Sequence, residues 1–297
     1  MLYTRRSGKP MSVNLLEHLH VLEDAARRGS RLFLVLDFDG TLTPIAGKPT
    51  EVTLQPEMAD LLTELTSSNH VSIAVISGRS IYDLTRRVHL RDAVLAGNHG
   101  LEIISPNWTF TYPDAVAFQH ELGCMCGELG WALETFENAW VENKRLTATV
   151  HYRQLDVRRH EDLKRIVRRS IASSRGRFTL RSGKLALEIR PRVPWDKGAA
   201  VQLIRARNGM AAAQCVCMGD DRTDESIFQR LPDAINVLVG PRPGSAAAYH
   251  LEDSEEVFCA LSLLQAFVRS AERRHERQQR RPFIAEAAWG RMPGVWR

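Results

Sequence analysis

Four polar segments carry residue types that together could transfer a phosphoryl group: Asp37-Phe38-Asp39-Gly40-Thr41, Ser77-Gly78-Arg79, Lys197, and Gly219-Asp220-Asp221 followed by Asp224. A phosphoryl group is anionic, so a carboxylate nucleophile needs a cation that neutralises both. Mg2+ held by one or two carboxylates plus phosphate oxygen is the usual arrangement. In such chemistry Asp37 attacks phosphorus in line while also touching the metal. Asp39, two residues on, can protonate the leaving oxygen, then deprotonate the water that hydrolyses the aspartyl phosphate, and it joins the candidate metal set. The first step requires the two carboxylates to differ in protonation, which predicts a less charged setting for Asp39. Ser77 offers a hydroxyl and Lys197 a compact positive charge to phosphoryl oxygens, and Arg79 is a further candidate substrate contact. Asp220 is expected to ligate the ion directly, with Asp221 and Asp224 ligating or orienting it.

Taken singly, these segments have plainer readings. Asp-x-Asp-Gly suits a turn. A calcium loop is excluded, because Lys48 stands where the twelfth-position Glu is required. Asp220-Asp221 could cap a helix, but Thr223 is the better placed cap and leaves both acids unexplained. Gly183-Lys184 lacks the Ser/Thr of a phosphate loop and has Phe178 where its first Gly belongs. Val75 and Arg79 exclude a nucleophile elbow around Ser77, and no H-E-x-x-H zinc helix occurs. His99, in Gly97-Asn98-His99-Gly100, is either a turn histidine satisfied by backbone or a sugar contact.

The polar segments sit at predicted strand ends or helix starts. Leu32-Phe33-Leu34-Val35-Leu36 and Val71-Ser72-Ile73-Ala74-Val75-Ile76 are short apolar runs of the kind buried in parallel sheets, and a third, Ala93–Ala96, stops at Gly97. Helices are expected over 14–27, from Pro56, and around 80–88. This alternation predicts an α/β fold with a Rossmann-like parallel sheet and ligands at the strands' carboxyl ends. A hairpin over Pro106-Asn107 leads into a different grammar: a helix near 115–136, strands at 139–144 and 146–152, a helix near 160–172, and a hairpin turning over Ser182-Gly183. Sheet grammar resumes with a helix from Asp196, strand 214–218, a helix from Thr223, strand 234–239 and a closing helix begun by Asp253 and Glu256. The expected organisation is an N-terminal helical extension (1–30), a catalytic core (31–112 and 193–268), an inserted α+β cap (113–192) and a basic tail (269–297).

The chain has 297 residues, 44% hydrophobic and 25% charged, values that exclude a disordered, collagen-like or disulfide-scaffold protein. Its net charge of +5 lies wholly in the tail, which has eight Arg and three Glu. A nucleic-acid partner is therefore not expected, and the tail reads as a solvated or partner-binding helical extension. Five cysteines with no C-x-x-C suggest reduced thiols, no apolar run is long enough to span a bilayer, and a cytoplasmic enzyme is expected.

In order and spacing, the segments resemble the haloacid dehalogenase superfamily and, more narrowly, the trehalose-6-phosphate phosphatases. The narrower resemblance rests on Asp37 through Ile45, Ile76 through Ser80, Gly97 through Gly100 and Gly219 through Glu225. It also rests on the cap segments Val141 through Lys144, His151-Tyr152-Arg153 and Gly183-Lys184 through Glu188-Ile189-Arg190-Pro191. It implies that Asp37 is the nucleophile, Asp39 the acid/base, Ser77 and Lys197 phosphoryl ligands, and Asp220 a Mg2+ ligand. Glu142, Lys144 and Glu188 would contact glucose hydroxyls. It further implies a synthase of the sugar phosphate as functional partner. Sucrose phosphate or a glucosyl or mannosyl phosphoglycerate would need the same core chemistry with another cap, and a non-catalytic sugar-phosphate sensor would need none.

Overall fold

The computed structural model describes residues 12–28, 31–45, 52–183, 185–240 and 242–279. Its larger sheet begins with β1 (Val13–Asn14), followed by α1 (His20–Arg27), β2 (Leu32–Asp37), α2 (Pro56–Thr66), β3 (Val71–Ile76), α3 (Ile81–Thr85) and β4 (Val94–Gly97). The hairpin of β5 (Glu102–Ser105) and β6 (Trp108–Thr111) adds antiparallel to β4. All six residues of β2 are buried, and its side chains divide by the period of a strand. Leu32, Leu34 and Leu36 enter a cluster with α1 and α2, whereas Phe33 and Val35 enter the one on the opposite face. A strand covered on both faces must be continuously apolar, and this one is.

The insert between β6 and the return to the sheet contains α4 (Pro113–Ala117), α5 (Gln119–Ala132), β7 (Trp140–Asn143), β8 (Ala148–His151), α6 (His160–Ser173), β9 (Phe178–Ser182) and β10 (Ala186–Pro191). Its strands form a separate antiparallel sheet in the order β7-β8-β10-β9. Alternation separates its faces: Ala148, Val150, Leu187 and Ile189 pack with Leu122, Met125, Leu129, Leu163 and Val167 of α5 and α6. Trp140, Glu142, Thr149, His151, Glu188 and Arg190 stand on the other face, because the register pairs Trp140 and Ala186 with His151, and Glu142 and Glu188 with Thr149.

The chain then returns through α7 (Lys197–Arg207), β11 (Gln214–Gly219), α8 (Glu225–Arg230), β12 (Ile235–Val239), β13 (Tyr249–Leu251) and α9 (Ser254–Gln279). The full order β1-β13-β12-β11-β2-β3-β4-β5-β6 places the reversal of strand order between β2 and β11. Crevices at such switch points are where open α/β sheets bind ligands. Met218 pairs with Leu36, so Asp37 and Gly219 leave the sheet side by side.

Several boundaries differ from the sequence reading. The helix expected over 14–27 begins as a 3-10 turn, Leu15–His18, capped when Asn14 Oδ1 accepts from the Leu16 N–H at 2.8 Å. β1 and β13 are too short to show a period, and went unread. The helix expected near 115–136 breaks at Phe118, whose ring packs on Phe178 at 5.9 Å. At the hairpin expected over Ser182-Gly183, β9 runs to Ser182 and β10 starts at Ala186. α9 runs through the start of the tail to Gln279, and the remainder of the tail, like residues 1–11, lies outside the described residues.

Candidate active site

Asp37 ends β2 and Lys197 opens α7, and both side chains are buried. The Lys197 Nζ donates to Asp37 Oδ1 at 2.6 Å and to Asp224 Oδ1 at 2.7 Å. Asp196 caps α7 by accepting from the Ala199 N–H at 2.8 Å, which fixes the helix start that presents Lys197. Asp224 is itself held where its Oδ2 accepts from the Asp221 N–H at 2.9 Å. One carboxylate oxygen from each of Asp37, Asp220 and Asp224 lies within 4.8 Å of the others. Gly40 makes this approach possible: its φ of +89° is left-handed, and a Cβ there would stand 2.4 Å from Asp220 Oδ2.

Burial pushes the Asp37 carboxyl well up, against Lys197 and with Asp224 and Asp220 adding to the rise. Burial likewise raises Asp224 despite Lys197. For Lys197 burial works the other way, but Asp224 and Asp37 overcome it and hold the ammonium charged. Three carboxylates close to one ammonium therefore gather more negative than positive charge at the bottom of the crevice. The donor set is all oxygen, as a hard divalent cation prefers, so these residues fit a Mg2+ site.

Asp39 sits differently from expectation. Its carboxylate makes a bidentate pair with Arg79, Nε to Oδ2 at 2.8 Å and Nη2 to Oδ1 at 2.5 Å, and the Ser77 hydroxyl lies 3.5 Å from Oδ2. The side chain has turned toward the loop after β3, away from the three clustered carboxylates, and its setting is charged rather than neutral. Asp221 also stays outside that cluster. Its Oδ2 accepts from the Thr223 hydroxyl at 3.2 Å, and Thr223 does not cap α8, whose preceding residue is Asp224. Burial would raise the Asp221 carboxyl, but Lys197 and the Arg222 N–H lower it. Arg79 is engaged on two sides, by Asp39 and by Asp83 at 2.6 Å, with its guanidinium 5.4 Å from the Phe38 ring centre.

The polar face of the smaller sheet closes over these groups. Lys144 Nζ donates to the Gly78 carbonyl at 3.1 Å, and Asn98 Nδ2 donates to the Lys144 carbonyl at 3.1 Å. Thr147 donates to Asn98 Oδ1 at 2.7 Å. Glu142 pairs with His151 at 2.8 Å and lies 3.8 Å from Lys144. A cavity of about 430 Å³ is lined by Asp37, Asp39, Ser77, His99 and Lys197 from the large sheet and by Trp140, His151 and Arg153 from the insert. An adjoining pocket of about 230 Å³ holds Arg79, Glu142, Lys144 and Glu188. The candidate residues thus converge on one crevice, although Asp39 and Asp221 stand apart from the carboxylate cluster.

The His99 ring is satisfied by side chains of the insert rather than by backbone, and it lines the cavity. Its backbone is left-handed (φ 58°), and a Cβ on Gly78 would lie 2.5 Å from its ring. The imidazole bridges to the insert through Glu188 and through Arg190 Nη2 at 2.7 Å. Burial and Arg190 push it down to about 4 from its ordinary 6.5, despite Glu188. It is therefore neutral when folded, and its contribution to stability is present above pH 6.5 and is lost as pH falls toward 4. Between pH 7.5 and 5 this linkage amounts to about 2 kcal/mol. Thermal melts across that range are expected to show a smaller pH-dependent fall in His99→Asn, a residue that tolerates the same backbone, than in the wild type. An equal fall would assign the effect to another group. Glu188, pushed down chiefly by His99 and Arg190 despite burial, titrates below this window.

Nothing in the sequence singles out Trp140 or Thr147, and Asn98, His151, Arg153 and Arg190 stand there only as members of motifs, without a role. A signal was available for two of them: once Glu142 and Glu188 are placed on one face, the strand period puts Trp140 and Arg190 on it too.

The Trehalose-phosphatase family matches residues 35–253, a span that contains every candidate residue. The chain is 30% identical over 268 residues to the Arabidopsis thaliana protein named "Probable trehalose-phosphate phosphatase H", covering 84% of this chain and 74% of that one. It is 33% identical over 240 residues to a trehalose-phosphate phosphatase of Mycobacterium tuberculosis, covering 80% of this chain and 58% of the relative. The C-terminal domain of C. albicans trehalose-6-phosphate phosphatase superimposes with a TM-score of 0.72 at 20% identity, covering 86% of this chain and 98% of that one, which shows a shared fold. The matched span runs from within the strand that carries Asp37, through the insert, to the turn before α9, so the carboxylate crevice, the insert above it and all of the large sheet except β1 and the start of β2 fall within it, and the chain belongs to the trehalose-phosphatase family.

Proposed function

We propose that the chain is a Mg2+-dependent phosphatase that hydrolyses trehalose 6-phosphate to trehalose and phosphate through an aspartyl phosphate on Asp37. The observation that carries this reading is the cluster of Asp37, Asp220 and Asp224, two of them buried on Lys197, roofed by a polar sheet face. Asp37, Asp220 and Asp224 would hold the ion, which supplies charge neutralisation to the phosphoryl group. Asp37 contributes the attacking carboxylate oxygen. Lys197 fixes that carboxylate and offers its charge to the phosphoryl oxygens, and Ser77 donates a hydroxyl to them.

Asp39 lines the same cavity and is placed to exchange protons with the leaving sugar oxygen and the incoming water. Paired with Arg79 it is set to take the proton of the incoming water, and to serve the leaving oxygen it first takes up a proton from solvent as the sugar phosphate draws the guanidinium away, which is the substrate contact assigned to Arg79. Glu142, Lys144 and Glu188 read the sugar hydroxyls, with His99 holding Glu188 to the core. Residues 113–192 act as a cap that excludes water from the crevice and opens for release. A synthase that forms the phosphorylated disaccharide is the partner reaction, and five unpaired cysteines suit a reducing cytoplasm. Among the described residues no helix is long and apolar enough to cross a membrane.

The test is phosphate release with Mg2+ across trehalose 6-phosphate, sucrose 6-phosphate, glucose 6-phosphate and mannosyl phosphoglycerate, with EDTA controls. EDTA-sensitive preference for trehalose 6-phosphate is the expected result, and preference for another sugar would remove the substrate assignment while leaving Asp37 in place. Glu142→Gln and Lys144→Ala are expected to lower kcat/KM for trehalose 6-phosphate, relative to p-nitrophenyl phosphate, by about 10- to 100-fold, the cost of leaving hydroxyls unpaired. Unchanged ratios would show that these residues form only an ion-pair cluster.

A further inference from the structure

Trp140 opens β7 on the face of the cap sheet turned toward the catalytic carboxylates, and 44% of it is exposed. Its indole stacks on His151, its partner across the strands, with ring centres 4.1 Å apart and planes inclined by 20°. His151 is anchored in turn by Glu142 at 2.8 Å. One face of the indole is therefore backed by a fixed ring, while the side chain lines the cavity that has Asp37 at its floor. Ile45, beyond Asp39 in the core, and Leu185, in the β9–β10 turn, line the same cavity and are 49% and 43% exposed.

Three large apolar side chains left in water around a charged pocket call for an explanation, because exposed apolar groups gathered at one place mark a binding surface. A ligand with an anionic end and a body that is polar at its edge but lined with C–H on its face satisfies both parts of the site. A pyranose ring has that character, and the flat, rigid indole can cover its C–H face at little entropic cost.

We propose that Trp140, backed by His151, is the platform for the sugar ring farther from the phosphate, and is the residue that makes this enzyme prefer a disaccharide phosphate to a monosaccharide phosphate. The proposal rests on the sugar-phosphate reading given above. The contact lies away from the bond that breaks, so it holds ground state and transition state alike and acts on KM rather than kcat.

The test compares wild type, Trp140→Ala and Trp140→Phe on trehalose 6-phosphate, glucose 6-phosphate and p-nitrophenyl phosphate. Trp140→Ala is expected to raise KM for trehalose 6-phosphate about tenfold with kcat changed less than about threefold. The preference for trehalose 6-phosphate over glucose 6-phosphate should fall by the same factor, and Trp140→Phe should restore most of it. Circular dichroism melts confirm that each variant is folded. A preference that survives Trp140→Ala, a loss that falls on kcat for all three esters, or a Phe variant as impaired as the Ala variant would overturn the platform. A wild type that hydrolyses p-nitrophenyl phosphate without favouring the disaccharide phosphate would instead remove the substrate reading, and the platform with it.

Discussion

Asp37→Asn is expected to lose phosphatase activity by at least about 10⁴-fold, the scale seen when a covalent nucleophile is removed, while the protein stays folded. Both halves follow from the same cluster. Asparagine keeps the shape of the side chain but offers no anionic oxygen to phosphorus, and no neighbour can substitute, since the Asp224 carboxylate is fully buried behind Lys197 and Asp39 is turned to Arg79. The fold should not suffer, because burial raises the Asp37 carboxyl and its charged form is therefore less favourable in the native state than in the unfolded chain. Neutralising it leaves Lys197 paired with Asp224, so the melting temperature at pH 7 should be equal to or above that of the wild type. Acid quenching after incubation with labelled substrate should trap label on the wild type and none on the variant. Retention of more than about 1% of wild-type turnover would place the bond-forming oxygen elsewhere.

What the sequence made legible divides along physical lines. Apart from Ser72, β2 and β3 are apolar up to the polar residues Asp37 and Ser77, so both the parallel sheet and the location of those two residues could be read from composition and period. Asp220 followed because Gly219 ends another such strand, β11. Two kinds of information were missing. The first was where a loop turns a side chain: Asp39 is two residues from the strand end, and only the backbone path decides that it meets Arg79 rather than Asp220. The second was contact between distant segments. His99 and Arg190 are separated by most of the insert, so their meeting depends on how the cap sheet rests on the core, which no local pattern encodes. The short strands β1 and β13 escaped for a separate reason, since two or three residues cannot display a period of two.

Chelation is expected to abolish activity, and the ion is expected to act on stability through Asp220 as well. Three carboxylates crowd near one ammonium, so a divalent cation there removes charge repulsion that the folded state otherwise carries. An ion that binds the native state alone at about 100 times its dissociation constant stabilises it by about 2.7 kcal/mol. For a protein of this size that corresponds to a rise in melting temperature of about 5–10 °C. Asp220 is the discriminating position, because Asp37 and Asp224 are each bonded to Lys197 and changing either would disturb those pairs as well. Its place in the cluster is secured by the space that Gly40 leaves. In Asp220→Asn the Lys197 pairs remain and the fold should survive, but most of the Mg2+-induced rise and nearly all of the turnover should disappear together. The metal-free variant should melt no lower than the metal-free wild type, since one of the crowded negative charges has gone. If Asp220→Asn kept the full thermal shift, the ion would be bound elsewhere, and the crowding of Asp37, Asp220 and Asp224 would need another cause.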